Sequence, residues 1–76
     1  MNKKRRERIV KIAEVISKLS SELETLRDEE QEYLDNMPES MRGGEKAQAA
    51  ESAISNLEDV ITNLEETASS LEEAQA

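Results

Sequence analysis

The sequence contains no cysteine, no histidine, no tryptophan and no phenylalanine, and its single aromatic residue is Tyr33. Without cysteine there are no disulfides and no thiolate chemistry, and without histidine the usual zinc sites and the commonest acid–base side chain are also missing. One aromatic ring argues against a core built on rings and against a stacking platform for single-stranded nucleic acid. These absences predict a protein that is not an enzyme and uses no metal ion or cofactor.

The charge of the chain is unevenly distributed. The 76 residues carry a formal net charge of -8, but residues 1–11 hold six basic side chains against one acidic one, or +5, which leaves −13 for the remainder. Lys11 and Glu14 interrupt the apolar residues after this basic start, so it does not match a secretory signal, and no segment is apolar enough to span a bilayer. We therefore expect a cytoplasmic protein with no membrane partner.

Apolar residues in the first half of the chain recur at alternating steps of three and four, which is the spacing of a coiled-coil seam. The seam consists of Ile9, Ile16 and Leu23 at heptad position a and of Ile12, Leu19, Leu26 and Tyr33 at position d. Glu30 occupies the one slot that breaks the pattern. With Asn2 as N-cap, this pattern predicts a helix over about residues 3–36.

The only proline and both glycines lie close together, so the chain is expected to turn over about residues 37–44. Pro38 disfavours helix at the preceding residue, Gly43-Gly44 permits the backbone to reverse, and residues 38–42 can form a single helical turn. A second helix is predicted over about residues 45–74, where a seven-residue repeat begins at Ile54, Ile61 and Ala68. Its large seam residues are Ile54, Leu57, Ile61, Leu64 and Leu71.

The predicted fold is all-α, a single antiparallel two-helix hairpin of coiled-coil type over residues 1–76. Folding back at the turn would set the basic start of helix 1 beside Glu65, Glu66, Glu72 and Glu73, which favours the antiparallel arrangement. One seam between two helices buries little apolar surface for a chain of this size. Further apolar residues widen the stripes, namely Ala53, Val60 and Ala74 at g in helix 2, Val15 at g in helix 1, and Ala13 and Leu34 at e. We expect dimerisation into a four-helix bundle, with docking on a different protein as the alternative.

Two charged clusters are candidate binding sites. Helix 2 presents an acidic stripe made of Glu51, Glu58, Glu65 and Glu72 at e and of Asp59, Glu66 and Glu73 at f. Such a stripe can imitate nucleic-acid phosphate or engage a basic protein surface, and otherwise it is a solvated helix face. Near the other end, Arg5, Arg6 and Arg8 form a basic cluster suited to phosphate. The −13 on the rest of the chain argues against nucleic acid as a partner.

The run Asp28-Glu-Glu-Gln-Glu-Tyr-Leu-Asp-Asn-Met-Pro-Glu-Ser, followed by Gly43-Gly44-Glu45 and the segment from Ala50 to Asp59, resembles a group of small uncharacterised helical-hairpin proteins encoded by bacteriophages and prophages. The resemblance centres on the Asn36-Met37-Pro38-Glu39 turn. It brings no catalytic residues to this chain. It implies a location in the host cytoplasm and a role as an accessory, regulatory or counter-defence factor.

The leading hypothesis is a non-catalytic homo-oligomeric interaction protein that acts by binding a host protein. One alternative is an oligomeric sponge in which Arg5, Arg6 and Arg8 hold a phosphate-bearing signalling nucleotide. A second alternative is a purely structural spacer or scaffold.

Overall fold

The computed structural model describes residues 1–75, which form two long helices joined by a short connection. Helix α1 spans Lys3–Asp35 and helix α2 spans Glu45–Gln75, and a 3-10 turn, Glu39–Met41, lies between them. Helix α1 therefore ends one residue before its predicted end, and α2 begins at its predicted residue. The described part of the chain contains no strand.

The two helices pack against each other and run in opposite directions. Val10 and Ser17 of α1 lie beside residues 68–75 of α2, whereas Glu30 and Tyr33 lie beside residues 46–50. The molecule measures 59 × 14 × 12 Å, so it is a rod only one helix thick in its shortest dimension. The structure confirms an all-helical fold of two packed helices.

The ends of α1 are closed by local hydrogen bonds. The side-chain oxygen of Asn2 accepts from the backbone N–H of Arg5 at 2.8 Å, which confirms Asn2 as the N-cap. At the other end, the Asn36 N–H donates to the carbonyl of Glu32 at 2.9 Å. These bonds satisfy backbone groups that a helix leaves without partners at its termini.

Arg42 holds the connection against the end of α1. Its guanidinium donates to the backbone carbonyls of Asp35 at 3.0 Å and Met37 at 3.3 Å, and the Met37 side chain is buried. Helix α2 then begins as the Gly44 carbonyl accepts from the Gln48 N–H at 3.1 Å. Neither Gly43 nor Gly44 has a positive φ. The reversal at this glycine pair therefore does not use left-handed backbone.

Helix α2 faces its partner with the a and d positions of its heptads. Four of these residues are buried, and four more are half-buried: Ala47, Ala50, Ile54 and Ile61, then Leu57, Leu64, Ala68 and Leu71. Ala47 and Ala50 are almost completely enclosed because their small side chains let the helices approach closely.

Helix α1 uses a different pair of positions. Its a residues Ile9, Ile16 and Leu23 are half-buried as expected from their place in the seam, but the second row facing α2 is position e, with half-buried Ala13 and buried Ser20. The four d residues predicted for this seam are about half exposed: Ile12, Leu19, Leu26 and Tyr33. They lie beside the hairpin core rather than in it, because α2 approaches α1 over the small e-position side chains and leaves the d row to one side.

The expected ion pairs between the two ends of the hairpin do not form. Within residues 1–75 the one ion pair joins the neighbours Arg27 and Asp28, at 3.1 Å. Gln75, the last described residue, borders the same depression as Val10, so the helical residues before Val10 extend past the last described turn of α2. The basic start therefore does not lie against Glu65, Glu66, Glu72 and Glu73, and the apolar seam holds the helices together.

Candidate interaction surface

The two broad sides of the hairpin differ in chemistry. On one side, the d and g positions of α1 adjoin position g of α2, as shown by Tyr33 lying beside Lys46 and Ala49. On the other side, Ser17, Ser21 and Glu24 of α1 adjoin Glu65 of α2. We call the first side the apolar face and the second the polar face. The large residues of the apolar face are Ile12, Val15, Leu19, Leu26 and Tyr33 of α1 and Val60 of α2.

The apolar face exposes these six large side chains together. Their fractional exposure runs from 44% for Val60 to 57% for Val15. The row on α1 from Ile12 to Tyr33 extends roughly 30 Å at 1.5 Å per residue. Scattered exposed apolar residues are normal on a protein surface, but a continuous row rimmed by charges is typical of an interaction site. This face is the principal candidate site of the molecule.

The outer rim of the apolar face changes the sign of its charge halfway along α1. The rim consists of charged residues at positions c and g, all exposed: Lys4, Arg8, Lys11 and Lys18 in the first half, and Glu22, Glu29 and Glu32 in the second half. The sequence alone does not show that these charges lie on one rim. That arrangement can be inferred only because the structure shows that positions a and e of α1 face α2. The apolar face is therefore flanked by one basic half and one acidic half.

The acidic stripe of α2 lies away from the apolar face. All seven of its carboxylates are exposed, and none of them forms an ion pair within residues 1–75: Glu51, Glu58, Asp59, Glu65, Glu66, Glu72 and Glu73. Glu65 and Glu72 border the polar face, beside the serines and Glu14 of α1. A partner on the apolar face would leave this stripe accessible.

The basic cluster is brought together only in part. Arg5 and Arg8 border a shallow depression with Met1, Ile9 and Ile12, whereas Arg6 does not line it. All three arginines are exposed, and no buried polar group accompanies them. The structure therefore places Arg5 and Arg8, but not Arg6, around one depression at the start of α1.

In residues 1–75, no three carboxylates are grouped closely enough to hold a metal ion. Neither α1 nor α2 contains a stretch long and apolar enough to cross a lipid bilayer. Comparison with protein families, with curated proteins and with solved structures found no match.

Proposed function

We propose that the protein is a non-catalytic interaction module whose apolar face pairs with a second copy to form a four-helix bundle. The bundle then acts by binding a host protein, as an accessory or counter-defence factor of a bacteriophage. The observation that carries the proposal is the row of six half-exposed large apolar side chains on one side of the hairpin.

Self-association is favoured because a single hairpin buries few apolar side chains. Within residues 1–75, only five apolar residues are buried, and two of these are alanines: Met37, Ala47, Ala50, Ile54 and Ile61. Chains of this size without disulfides or metal often complete their core by oligomerisation. Covering the exposed half of each large side chain on the apolar face contributes roughly 1 kcal/mol. A second copy offers an apolar surface of matching length.

The acidic stripe is the surface proposed to meet the host protein. It remains on the outside of a bundle formed through the apolar face, because it occupies positions e and f of α2. A row of seven carboxylates attracts a basic surface over a long range and increases the rate of encounter. The resemblance of the turn region to phage-encoded proteins supports a partner from the host cell.

The test is the solution mass by light scattering, with helicity measured by circular dichroism on the same samples. We expect the wild type to have twice the 8.6 kDa mass of one chain. The variant L19K/L26K places two charges on the apolar face and is expected to be a monomer. The matched control S17K/S21K places the same charges on the polar face of the same helix and is expected to remain a dimer.

Two results would contradict the proposal. If the wild type is a monomer that keeps its helices at every concentration, the apolar face does not bind a second copy, and its partner is a different protein. A dimer that persists in L19K/L26K with unchanged helicity would place the interface elsewhere on the hairpin.

A further inference from the structure

We infer that the two copies pair with their turns at opposite ends, so that α1 lies antiparallel on α1 of the second copy. The two-fold axis then passes close to Ser20. This inference rests on the proposed self-association and specifies its geometry, which the apolar row alone does not determine.

Two hairpins that meet face to face have two symmetric arrangements. In one, the axis runs parallel to the helices, the turns lie at the same end, and α1 packs on α2 of the second copy. In the other, the axis lies in the contact plane at right angles to the helices, the turns lie at opposite ends, and each helix packs on its own copy. The charges on the rim of α1 distinguish these two arrangements.

The rim charges of α1 from Arg8 to Glu32 are arranged symmetrically, with opposite sign, about Ser20, whereas Lys4 falls opposite Asn36. The cations stand 12, 9 and 2 residues before it and the carboxylates stand 12, 9 and 2 residues after it: Arg8, Lys11 and Lys18, then Glu32, Glu29 and Glu22. A two-fold axis level with Ser20 therefore sets each cation opposite a carboxylate of the second copy. All six side chains are exposed in the single hairpin, so they are free to meet there.

The same axis gives the apolar face two favourable contacts, although Ile12 falls opposite Asp28 and Leu19 opposite Ser21. Within one residue, Leu26 falls opposite Val15 of the second copy, and Tyr33 falls opposite Arg8. The guanidinium of Arg8 can lie over the ring of Tyr33, an arrangement in which the cation is attracted by the face of the ring. The charge pairing therefore sets the register, and these two contacts accompany it.

The arrangement with both turns at one end lacks these pairings. There the rim of α1 faces positions c and g of α2, which are uncharged after Lys46: Ala49, Ala53, Asn56, Val60, Asn63, Thr67, Ser70 and Ala74. Apart from Lys46, which lies level with Tyr33 and so near Glu32, the rim charges would have no opposite charge across the interface. In addition, the two basic halves would lie at the same end of the bundle.

Distances between spin labels test the arrangement directly, and the cysteine-free chain makes single labelling simple. Ser40 lies in the 3-10 turn and Ser21 lies near the proposed axis, and both are exposed. We expect labels on the S40C variant to be about 50 Å apart in the dimer, from the rise of 1.5 Å per residue. Labels on the S21C variant serve as the control and should be about 30 Å apart in either arrangement.

The outcomes separate the two proposals. A dimeric mass with an S40C distance as short as that of S21C would overturn the opposite-ended arrangement and leave the self-association standing. A monomeric mass, with no intermolecular distance at either site, would overturn the self-association and this arrangement with it.

Charge reversal gives a second, independent test. In the proposed arrangement Lys11 meets Glu29 of the second copy at two places related by symmetry. We expect K11E alone and E29K alone each to raise the dimer dissociation constant roughly tenfold, because like charges then meet twice. Mixing the two variants should restore the wild-type constant through a heterodimer with opposite charges at both places. No gain on mixing would overturn the arrangement.

Discussion

Arg42 shows how a single side chain can replace a special backbone conformation. The connection between α1 and α2 contains both glycines, yet neither adopts a positive φ. Instead, Arg42 binds the carbonyls of Asp35 and Met37, where α1 leaves acceptors without partners. A cation is also favourable at this negative end of the helix dipole. The turn is therefore held by a side chain, and one glycine is free to change.

Replacing Gly43 by alanine should stabilise the protein. An added Cβ at this position meets no atom within 4 Å, and its φ is not positive. The substitution restricts the unfolded chain, so we expect the free energy of unfolding to rise by about 0.4 to 1 kcal/mol in a denaturant titration. The control is Gly44→Ala, whose Cβ would lie 3.3 Å from the carbonyl oxygen of Met41 and should give no gain. A loss of stability in Gly43→Ala would show that the turn requires glycine there.

At the level of the helices, α1 and α2 differ in how well their sequences determine which side faces the partner. In α2 the large apolar residues lie at a and d, apart from Val60 at g, and carboxylates occupy e and f, so the sequence determines which side faces α1. In α1 the apolar residues spread over a, d and g, and position e carries the small residues Ala13 and Ser20. The heptad pattern of α1 is satisfied equally well whether position d or position e is buried beside position a.

A matched pair of isoleucines tests this assignment. Ile61 is 5% exposed and Ile12 is 53% exposed, although both occupy seam positions in the heptad pattern. In dilute protein we expect Ile61→Ala to lower the free energy of unfolding by about 2 to 4 kcal/mol and Ile12→Ala by about 1 kcal/mol or less. Equal losses for both variants, measured by chemical denaturation, would place Ile12 in the hairpin core after all.

The apolar face could be predicted from the sequence only in part, because the heptad pattern of α1 does not determine which of its positions face α2. The wide stripe of α1 and Val60 at position g of α2 indicate that an apolar face exists. Heptad spacing does not say which edge of that stripe α2 covers, because close packing over Ala13 and Ser20 depends on side-chain volume. The rim that begins at Lys4 and ends at Glu32 is defined only once that edge is known. The expected ion pairs failed because Lys3–Arg8 extends past the last described turn of α2.

The molecule as a whole is a thin rod, measuring 59 × 14 × 12 Å. Almost every residue of such a rod is near the surface, and Ser20 is the one buried polar residue in the described part. If the folded state is stabilised by dimerisation, its stability increases with protein concentration, because association shifts the folding equilibrium toward the folded state.

The thermal midpoint of unfolding should accordingly rise with protein concentration. We expect a clear increase for the wild type and for S17K/S21K in calorimetry over a wide concentration range. The midpoint of L19K/L26K should be lower and independent of concentration. A concentration-independent wild-type midpoint, at constant helicity, would indicate that the single hairpin is the stable unit.

Tyr33 gives this rod an optical property that follows from its position. It is the only aromatic residue of the chain, and its ring is half exposed at one end of the apolar face. The near-ultraviolet absorbance and the fluorescence of the side chains therefore come from one point on the surface proposed to associate. The native phenol is a built-in reporter of whether that surface is in contact with water or with another molecule.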